Sequence, residues 1–322
     1  MSVSVSAGAE VVVMGETMAL FSSRSAGVLR SGAKADFSVG GAESNVAIGL
    51  ARLGVPVAWI GRVGVDPFGD EIVRVLRGEG VEVLARRDGS RRTGLMVKER
   101  RTALHQRVVY YRSDSAGSAL SPDDVDDRIV GGARVLHVTG ITPALSESAT
   151  AAVDHAIDAA RAAGTTVSLD VNYRSALWSR DAATAALTRL LPSVDILFAG
   201  LEEAELLTGR ASGPEQAAAD LARLGPSQVV VKHGATGATA AVDGEPAVTA
   251  SPPAVPVVDT VGAGDAFVAG YLAAYLAGDS VPSRLELGCA TGAFACMAAG
   301  DWEGAPTRDE LALLRSSEPV LR

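Results

Sequence analysis

Short runs of β-branched and apolar residues alternate with longer Ala- and Leu-rich segments along most of the chain. The short runs predict buried strands, which read as continuous apolar stretches, and the longer segments have the length and spacing of helices. The predicted strands are 11–14, 56–60, 134–138, 165–171, 195–198 and 228–232, and the predicted helices include 68–77, 146–163, 214–224 and 284–299. Several helical segments are followed by glycine, the residue that most often ends a helix in a left-handed conformation: Gly54, Gly80, Gly164, Gly225, Gly278 and Gly300. This alternation predicts an α/β fold whose parallel sheet is covered by helices on both faces, with 167–171 as a central strand.

Two segments, 17–39 and 93–112, interrupt this alternation. They are polar and lack long helices, and residues 106–112 have the pattern of a strand. Inserted strands of this kind predict a small sheet that lies as a lid over the ligand edge of the main sheet. No internal repeat or linker is present, so we expect one domain over 10–322 that follows a disordered tail at 1–9.

The composition narrows the class of protein. Hydrophobic residues make up 48% of the 322 residues and charged residues 21%, which predicts a folded chain with a large core. The net charge of −9 and the absence of a Lys/Arg cluster argue against a nucleic-acid partner. No apolar run reaches the roughly 18 residues of a membrane span, and the first nine residues lack the features of a signal peptide. The two cysteines, Cys289 and Cys296, are predicted to be unbridged, which suits a cytoplasmic protein.

The most informative segment is 258–267, where a β-rich run at 254–258 leads through a Gly-Ala-Gly turn into the Ala-rich helical segment 266–276. Glycines allow close approach to a ligand, and free N–H groups at a helix N-terminus favour negative charge. We therefore interpret Gly262, Ala263 and Gly264 as an anion hole for a phosphoryl group in transfer. Asp265 is the candidate base that takes the proton of the attacking hydroxyl. The alternative is that Asp265 only caps the helix.

A second glycine motif precedes the apolar helical run that ends at Gly54. With Gly-Gly-x-x-x-Asn at Gly40, Gly41 and Asn45, and Asp-Thr-x-Gly-Ala-Gly-Asp at 259–265, the chain resembles the ribokinase-like (PfkB) sugar kinases from about residue 11 to 314. The resemblance implies a three-layer α/β/α sandwich with a mostly parallel central sheet and a small β-sheet lid. It also implies ATP with Mg²⁺, a monovalent cation such as K⁺, and a homodimer formed through the lid.

The motifs of other nucleotide sites are absent from the sequence, whereas a Ser-His-Asp hydrolase stays an alternative because its residues need not be adjacent in the chain. There is no P-loop, no Gly-x-Gly-x-x-Gly after the first strand, no protein-kinase set and no Gly-x-Ser-x-Gly elbow. The four histidines lack the spacing of metal ligands.

Within the family, the chain is similar to the 2-keto-3-deoxygluconate kinases at 15–16, 41–45, 110–112, 115–118, 170–174 and 300–301. This similarity implies substrate binding by Gly41, Ala42, Glu43, Ser44, Asn45, Tyr110, Tyr111, Arg112, Arg174, Asp265 and Asp301. A sugar acid needs a cation for its carboxylate, and the planar guanidinium groups of Arg112 and Arg174 suit it. Both arginines are alternatively ordinary surface residues. Met96 departs from the branch, which often has an aromatic residue there.

The resemblance also implies a nucleotide site, which includes a Gly-x-x-Gly turn after a β-run. Its residues are Asn172, Tyr173, Arg174, Lys232, Gly234, Ala235, Thr236 and Gly237, with Gly262, Ala263 and Gly264 at the phosphates. Glu203 is the expected metal-site carboxylate, although Gly200 replaces the polar residue of the family's Asn-x-x-Glu. The predicted function is ATP-dependent phosphorylation of 2-keto-3-deoxygluconate. The alternatives are a fructokinase or ribokinase acting on a neutral sugar, and a non-catalytic sensor of a sugar or nucleotide.

Overall fold

The computed structural model describes residues 8–102, 105–242 and 244–315, and these residues contain two β-sheets. Strands and helices are numbered in chain order. The larger sheet has, across these residues, nine strands in the order β13-β12-β11-β10-β9-β8-β1-β4-β5. They are β1 (Val11–Met14), β4 (Val57–Gly64), β5 (Glu82–Asp88), β8 (Val135–Thr139), β9 (Thr166–Asp170), β10 (Ile196–Gly200), β11 (Gln228–Lys232), β12 (Ala238–Val242) and β13 (Val248–Ala250). The pairs of β12 with β11 and with β13 are antiparallel and the other pairs are parallel.

Helices cover both faces of the larger sheet. They are α1 (Ala42–Arg52), α2 (Pro67–Gly78), α3 (Asp127–Gly132), α4 (Glu147–Ala163), α5 (Arg180–Leu190), α6 (Leu201–Thr208), α7 (Pro214–Ala222), α8 (Ala263–Leu276) and α9 (Val281–Ala295). Because side chains alternate along a strand, Val12 and Met14 of β1 pack into the core under α3–α7, whereas Val11 and Val13 pack into the core under α1, α2, α8 and α9. The predicted three-layer sandwich is therefore confirmed, and β9 lies in the middle of the sheet as expected.

The four strands of the smaller sheet come from the two segments that interrupt the α/β alternation. These strands are β2 (Met18–Ser23), β3 (Ala35–Gly40), β6 (Leu95–Arg100) and β7 (Gln106–Tyr111), in the order β3-β2-β6-β7. A small apolar cluster of Met18, Leu20 and Met96, with Val108 packed on it, fills one face. That this sheet acts as a lid, and that the chain is a single domain, stay predictions.

Helix ends follow local chemistry. Ser146 caps α4 by accepting a hydrogen bond from the Ala149 amide at 3.0 Å, and Gly164 ends this helix with φ of 78°. The other five glycines expected to end helices also have positive φ. However, Gly300 lies beyond a helix that already ends at Ala295, four residues before the predicted end.

The β-rich run at 254–258 does not form a strand. Its backbone is irregular, and β13, the last strand of the described residues, ends at Ala250. Pro252, Pro253 and Pro256 explain this, since proline has no N–H to donate to a neighbouring strand. Cys289 and Cys296 are free thiols, as predicted. Residues 1–7 of the predicted tail lie outside the described residues. None of the helices in the described ranges is both long and apolar enough to cross a membrane.

Candidate active site

A cavity of about 780 Å³ lies at the carboxyl ends of the central strands, between the two sheets. The larger sheet contributes Asp170 and Lys232, and the smaller sheet contributes Met96, Lys98 and Tyr110. The N-terminal turns of α1 and α8 form further parts of the wall. Open α/β sheets bind ligands outside the carboxyl ends of their strands, so this cavity is where a ligand is expected.

Both signature motifs meet in this cavity. The Nδ2 amide of Asn45, on α1, donates a hydrogen bond to Oδ2 of Asp265 at 2.8 Å. Gly262 is the N-cap residue of α8, and Asp265 lies in the first turn of the helix. The capping alternative therefore does not describe Asp265, whose carboxylate is held by the other motif and lines the cavity.

The environment of Asp265 raises its pKa to near neutral pH. Burial and then the negative charge of Asp170 raise the pKa of Asp265 to about 7. The hydrogen bond from Asn45 and the charges of Lys232 and Arg174 act in the opposite direction. A carboxylate with a pKa near the working pH is well matched to general base catalysis.

Gly262 is required by the geometry of the turn that precedes α8. Its φ is +74°, and a Cβ atom there would lie 1.8 Å from the backbone carbonyl oxygen of Asp301. The turn that ends with Gly262 thus packs against Asp301, which places the first amides of α8 at the cavity. Gly262 and Gly264 line the cavity, but Ala263 does not.

On the side proposed for the sugar, Arg112 is already paired with a carboxylate. Its Nη2 lies 2.6 Å from Oε2 of Glu16, whose side chain has no exposed surface. Ser115 donates to the other oxygen of Glu16. Arg174, in contrast, is exposed, lines the cavity and forms no ion pair with any described residue. Arg174 is therefore better placed than Arg112 to meet a carboxylate of a ligand.

Glu43 is a buried carboxylate in the wall of the cavity. Thr139 and Thr142 donate hydrogen bonds to its Oε1 at 2.7 and 2.6 Å, whereas Oε2 has no hydrogen-bond partner among the described residues. Burial raises the pKa of Glu43, and these two hydrogen bonds and the charge of Arg112 only partly oppose it.

The remaining candidate sugar residues separate into two groups. Gly41, Ala42, Tyr110 and Asp301 line the cavity. Ser44 is buried and donates to the Gly41 carbonyl at 3.0 Å, and Tyr111 is 63% exposed outside the cavity. Adjacent residues of a strand point to opposite faces of the sheet, so the side chain of Tyr110 faces the cavity and that of Tyr111 does not.

The expected nucleotide side contains a buried ion pair. Lys232 Nζ donates to Oδ2 of Asp170 at 2.6 Å. Burial lowers the pKa of Lys232, but the negative charges of Asp170, Glu203 and Asp265 outweigh it, and the net direction is upward. Asn172 has a positive φ of 41°, which is uncommon outside glycine and is often found at functional sites.

Of the other predicted nucleotide residues, Tyr173 and Gly234 line the cavity, but Ala235, Thr236 and Gly237 do not. Gly237 instead packs against the neighbouring strand, because a Cβ there would lie 2.0 Å from the carbonyl oxygen of Ala250.

Glu203 and Asp170 are the carboxylates that fit a magnesium–phosphate group. Glu203 accepts hydrogen bonds from the amides of Tyr173 at 2.8 Å and Gly200 at 2.7 Å, so these amides fix its orientation without a side chain at Gly200. Burial and the charge of Asp170 raise the pKa of Glu203. The buried Oδ1 of Asp170 has no hydrogen-bond partner among the described residues. One or two carboxylates are the usual protein share of a Mg²⁺ site whose other ligands are phosphates and water.

The family model described as pfkB family carbohydrate kinase matches residues 9–308. The chain belongs to this family. It is 37% identical over 312 residues to a 2-dehydro-3-deoxygluconokinase of Bacillus subtilis, covering 96% of both chains. It is 35% identical over 299 residues to a 2-dehydro-3-deoxygalactonokinase of Haloferax volcanii, covering 91% of this chain and 92% of that protein.

Two further matches broaden the comparison. A fructokinase of Klebsiella pneumoniae is 36% identical over 286 residues, which are 84% of this chain and 90% of that protein. An Escherichia coli protein solved in complex with ATP and Mg²⁺ is 26% identical, with a TM-score of 0.86 over 95% of this chain and 99% of the other. As a carbohydrate kinase of the PfkB family, this protein uses ATP to phosphorylate a hydroxyl group.

Several residues of this kinase cavity were given no role from the sequence. Glu16 and Asp170 lie in segments similar to the 2-keto-3-deoxygluconate kinases, and their positions at or after the ends of buried parallel strands are a signal for such a role. Lys98 and Arg180 also line the cavity, and no local pattern distinguishes them from other strand or helix residues.

Proposed function

We propose that this kinase phosphorylates 2-keto-3-deoxygluconate, also named 2-dehydro-3-deoxygluconate, at its 6-hydroxyl group. The observation that carries the proposal is the position of Asp265. Its carboxylate has a pKa of about 7, is held by Asn45, and faces a cavity that also contains Arg174, which forms no ion pair with a described residue.

The chain's own groups account for the transfer. Asp265 accepts the proton of the attacking hydroxyl as the oxygen–phosphorus bond forms and ADP leaves. The amides of Gly262 and Gly264, which line the cavity, stabilise the charge on the phosphoryl group, whereas the Ala263 amide donates to the Thr260 carbonyl at 3.4 Å. Lys232 adds positive charge close to Asp265, since it lowers the pKa of that carboxyl. When bound, Mg²⁺ neutralises phosphate charge, and Asp170 and Glu203 are the residues that would hold it.

Arg174 supports a sugar acid as the substrate. It is a cation in the cavity wall without a carboxylate partner among the described residues, and it acts on the charge of Asp265. A guanidinium forms a planar, two-pronged contact with a carboxylate. The pairing of Arg112 with Glu16 leaves one fewer free cation, and this favours a neutral sugar as the second candidate, in line with the fructokinase relative.

A coupled assay of ADP release tests the proposal. The substrates are 2-keto-3-deoxygluconate, its galacto epimer, fructose and ribose, each with ATP and Mg²⁺. The proposal predicts the highest kcat/KM with a keto-deoxy sugar acid. A higher value with fructose or ribose would favour the second candidate, and the absence of ADP release with every compound would favour a sensor.

The oligomeric state, the monovalent cation and the cellular location of this kinase belong to the same proposal. We infer a homodimer through the smaller sheet, which exposes Phe37 (44%) in contact with Phe21. Light scattering coupled to size-exclusion chromatography tests this, and a monomer would contradict it. We also infer activation by K⁺, which is tested by replacing KCl with tetramethylammonium chloride in the assay. A cytoplasmic location suits the free thiols and is tested by cell fractionation.

A further inference from the structure

A buried ion pair joins the smaller sheet to the turn that packs against the anion hole. Lys98 of β6 contacts Asp301 through its Nζ atom. The two side chains are only 9% and 7% exposed. A buried pair of this kind holds its partners in place, because removal of one charge leaves the other buried and uncompensated.

Asp301 touches both signature segments through different atoms. Its backbone carbonyl oxygen lies against Gly262, and its carboxylate Oδ2 would lie 2.6 Å from a Cβ atom at Gly40. Its own amide donates to Oε2 of Glu303 at 2.9 Å. Gly262 has no side chain, so the Asp301 carbonyl oxygen lies directly against its backbone. A shift of Asp301 therefore moves the backbone at the start of α8.

Lys98 also stabilises the charged form of Asp301. Burial raises the pKa of Asp301, and the ammonium group of Lys98 is the main opposing influence. Without Lys98, Asp301 must either stay charged without a partner or take up a proton. Either change alters its contacts with Gly40 and Gly262.

We propose that Lys98 is a positioning residue for phosphoryl transfer, which acts through Asp301 on the turn that holds Gly262. The inference rests on the proposed role of the Gly262 and Gly264 amides. It implies that the smaller sheet helps set the geometry of the anion hole, in addition to covering the cavity. Lys98 therefore affects the chemical step more than the binding of either substrate.

Steady-state kinetics of Lys98→Met test this division. A displacement of about 1 Å in a catalytic site can cost about 10²-fold in rate, so we expect kcat to fall by about 10–10²-fold. The KM values for ATP and for the sugar acid should change by less than about threefold, and Lys98→Arg should recover most of kcat because it keeps the charge. The matched control is Arg100→Met, on the same strand and two residues along, whose cation forms no ion pair with a described residue.

Amide hydrogen exchange in the absence of ligands provides a second readout that needs no turnover. Exchange over 259–266 should be faster in Lys98→Met than in the wild type or Arg100→Met. If Lys98→Met does not fold, Lys98→Gln is measured in both assays with the same expected direction. A kcat within twofold of the wild type with unchanged exchange would overturn the proposal. A raised KM for the sugar acid with unchanged kcat would also overturn it, because Lys98 would then be a substrate-binding residue. Both results leave the proposed function intact, which fails if fructose or ribose is the better substrate or if no sugar acid is phosphorylated.

Discussion

Replacement of Asp265 by asparagine should change how the stability of the protein depends on pH. Folding raises the pKa of this carboxyl from 3.8 to about 7, so the folded state binds more protons than the unfolded state between these values. The contribution of Asp265 to stability is therefore complete below about pH 4 and is lost as the pH rises through about 7. Asparagine cannot ionise, so this loss is absent from the variant.

The size of the effect follows from the shift. Each pKa unit corresponds to about 1.4 kcal/mol, and the change from 3.8 to about 7 gives an upper limit of about 4 kcal/mol. Because Asp265 is half-buried and partly screened by solvent, we expect about 2–4 kcal/mol. The stability of Asp265→Asn relative to the wild type should rise by this amount from about pH 4 to about pH 8.

Urea unfolding followed by circular dichroism at intervals of about half a pH unit measures the difference. Asp158→Asn is the control, since it removes the same charge from an exposed position of α4. Its stability relative to the wild type should vary little over this range. A difference between Asp265→Asn and the wild type that is constant with pH would refute the reasoning, because it would mean that folding does not perturb this carboxyl.

Three other outcomes follow from the site. Arg174→Ala should weaken sugar-acid binding by about 1.5–3 kcal/mol while ATP binding changes little, as measured by calorimetry; equal losses would place Arg174 between the two ligands. Gly262→Ala should reduce turnover by more than about tenfold, because a Cβ would collide with the Asp301 carbonyl oxygen at a backbone φ of +74°; wild-type turnover would show that the turn adapts without cost. Substrate with a nucleotide analogue should slow amide exchange over 93–112 more than over the core strand β9; unchanged exchange would contradict a closing lid.

The larger features of the fold were predictable because they depend on local patterns. Continuous apolar runs such as Val11–Met14 are fully buried, and the segments between them form helices with recognisable ends. The β-rich run at 254–258 is the exception, because its valines favour a strand but its prolines prevent one.

The central contact of the site was also predictable in part. The two glycine motifs pointed to Asn45 and Asp265, and the structure joins these side chains by a hydrogen bond. The free N–H groups at a helix N-terminus favour negative charge through local geometry, which is why this chemistry could be predicted from the sequence.

The ion pairs of the site could not be predicted. Glu16 with Arg112, and Lys98 with Asp301, are far apart in the chain and meet only because the smaller sheet lies over the larger one. The ion-pair partner determines whether such a residue is free to bind a ligand. From the sequence, Arg112 is predicted to bind the substrate carboxylate, but in the structure the carboxylate of Glu16 neutralises its charge. Tyr111 shows the same limit on a smaller scale, since the face of a strand that meets the cavity is set by tertiary packing.

The most direct test of the account is the turnover of Asp265→Asn with saturating 2-keto-3-deoxygluconate, ATP and Mg²⁺, measured beside calorimetric binding of the sugar acid to the same preparation. The loss of a general base lowers turnover by about 10²–10⁴-fold, and the account predicts a fall in this range with sugar-acid binding retained. Near-wild-type turnover by the folded variant would contradict the assignment of Asp265 as the base and, with it, the mechanism proposed for this kinase.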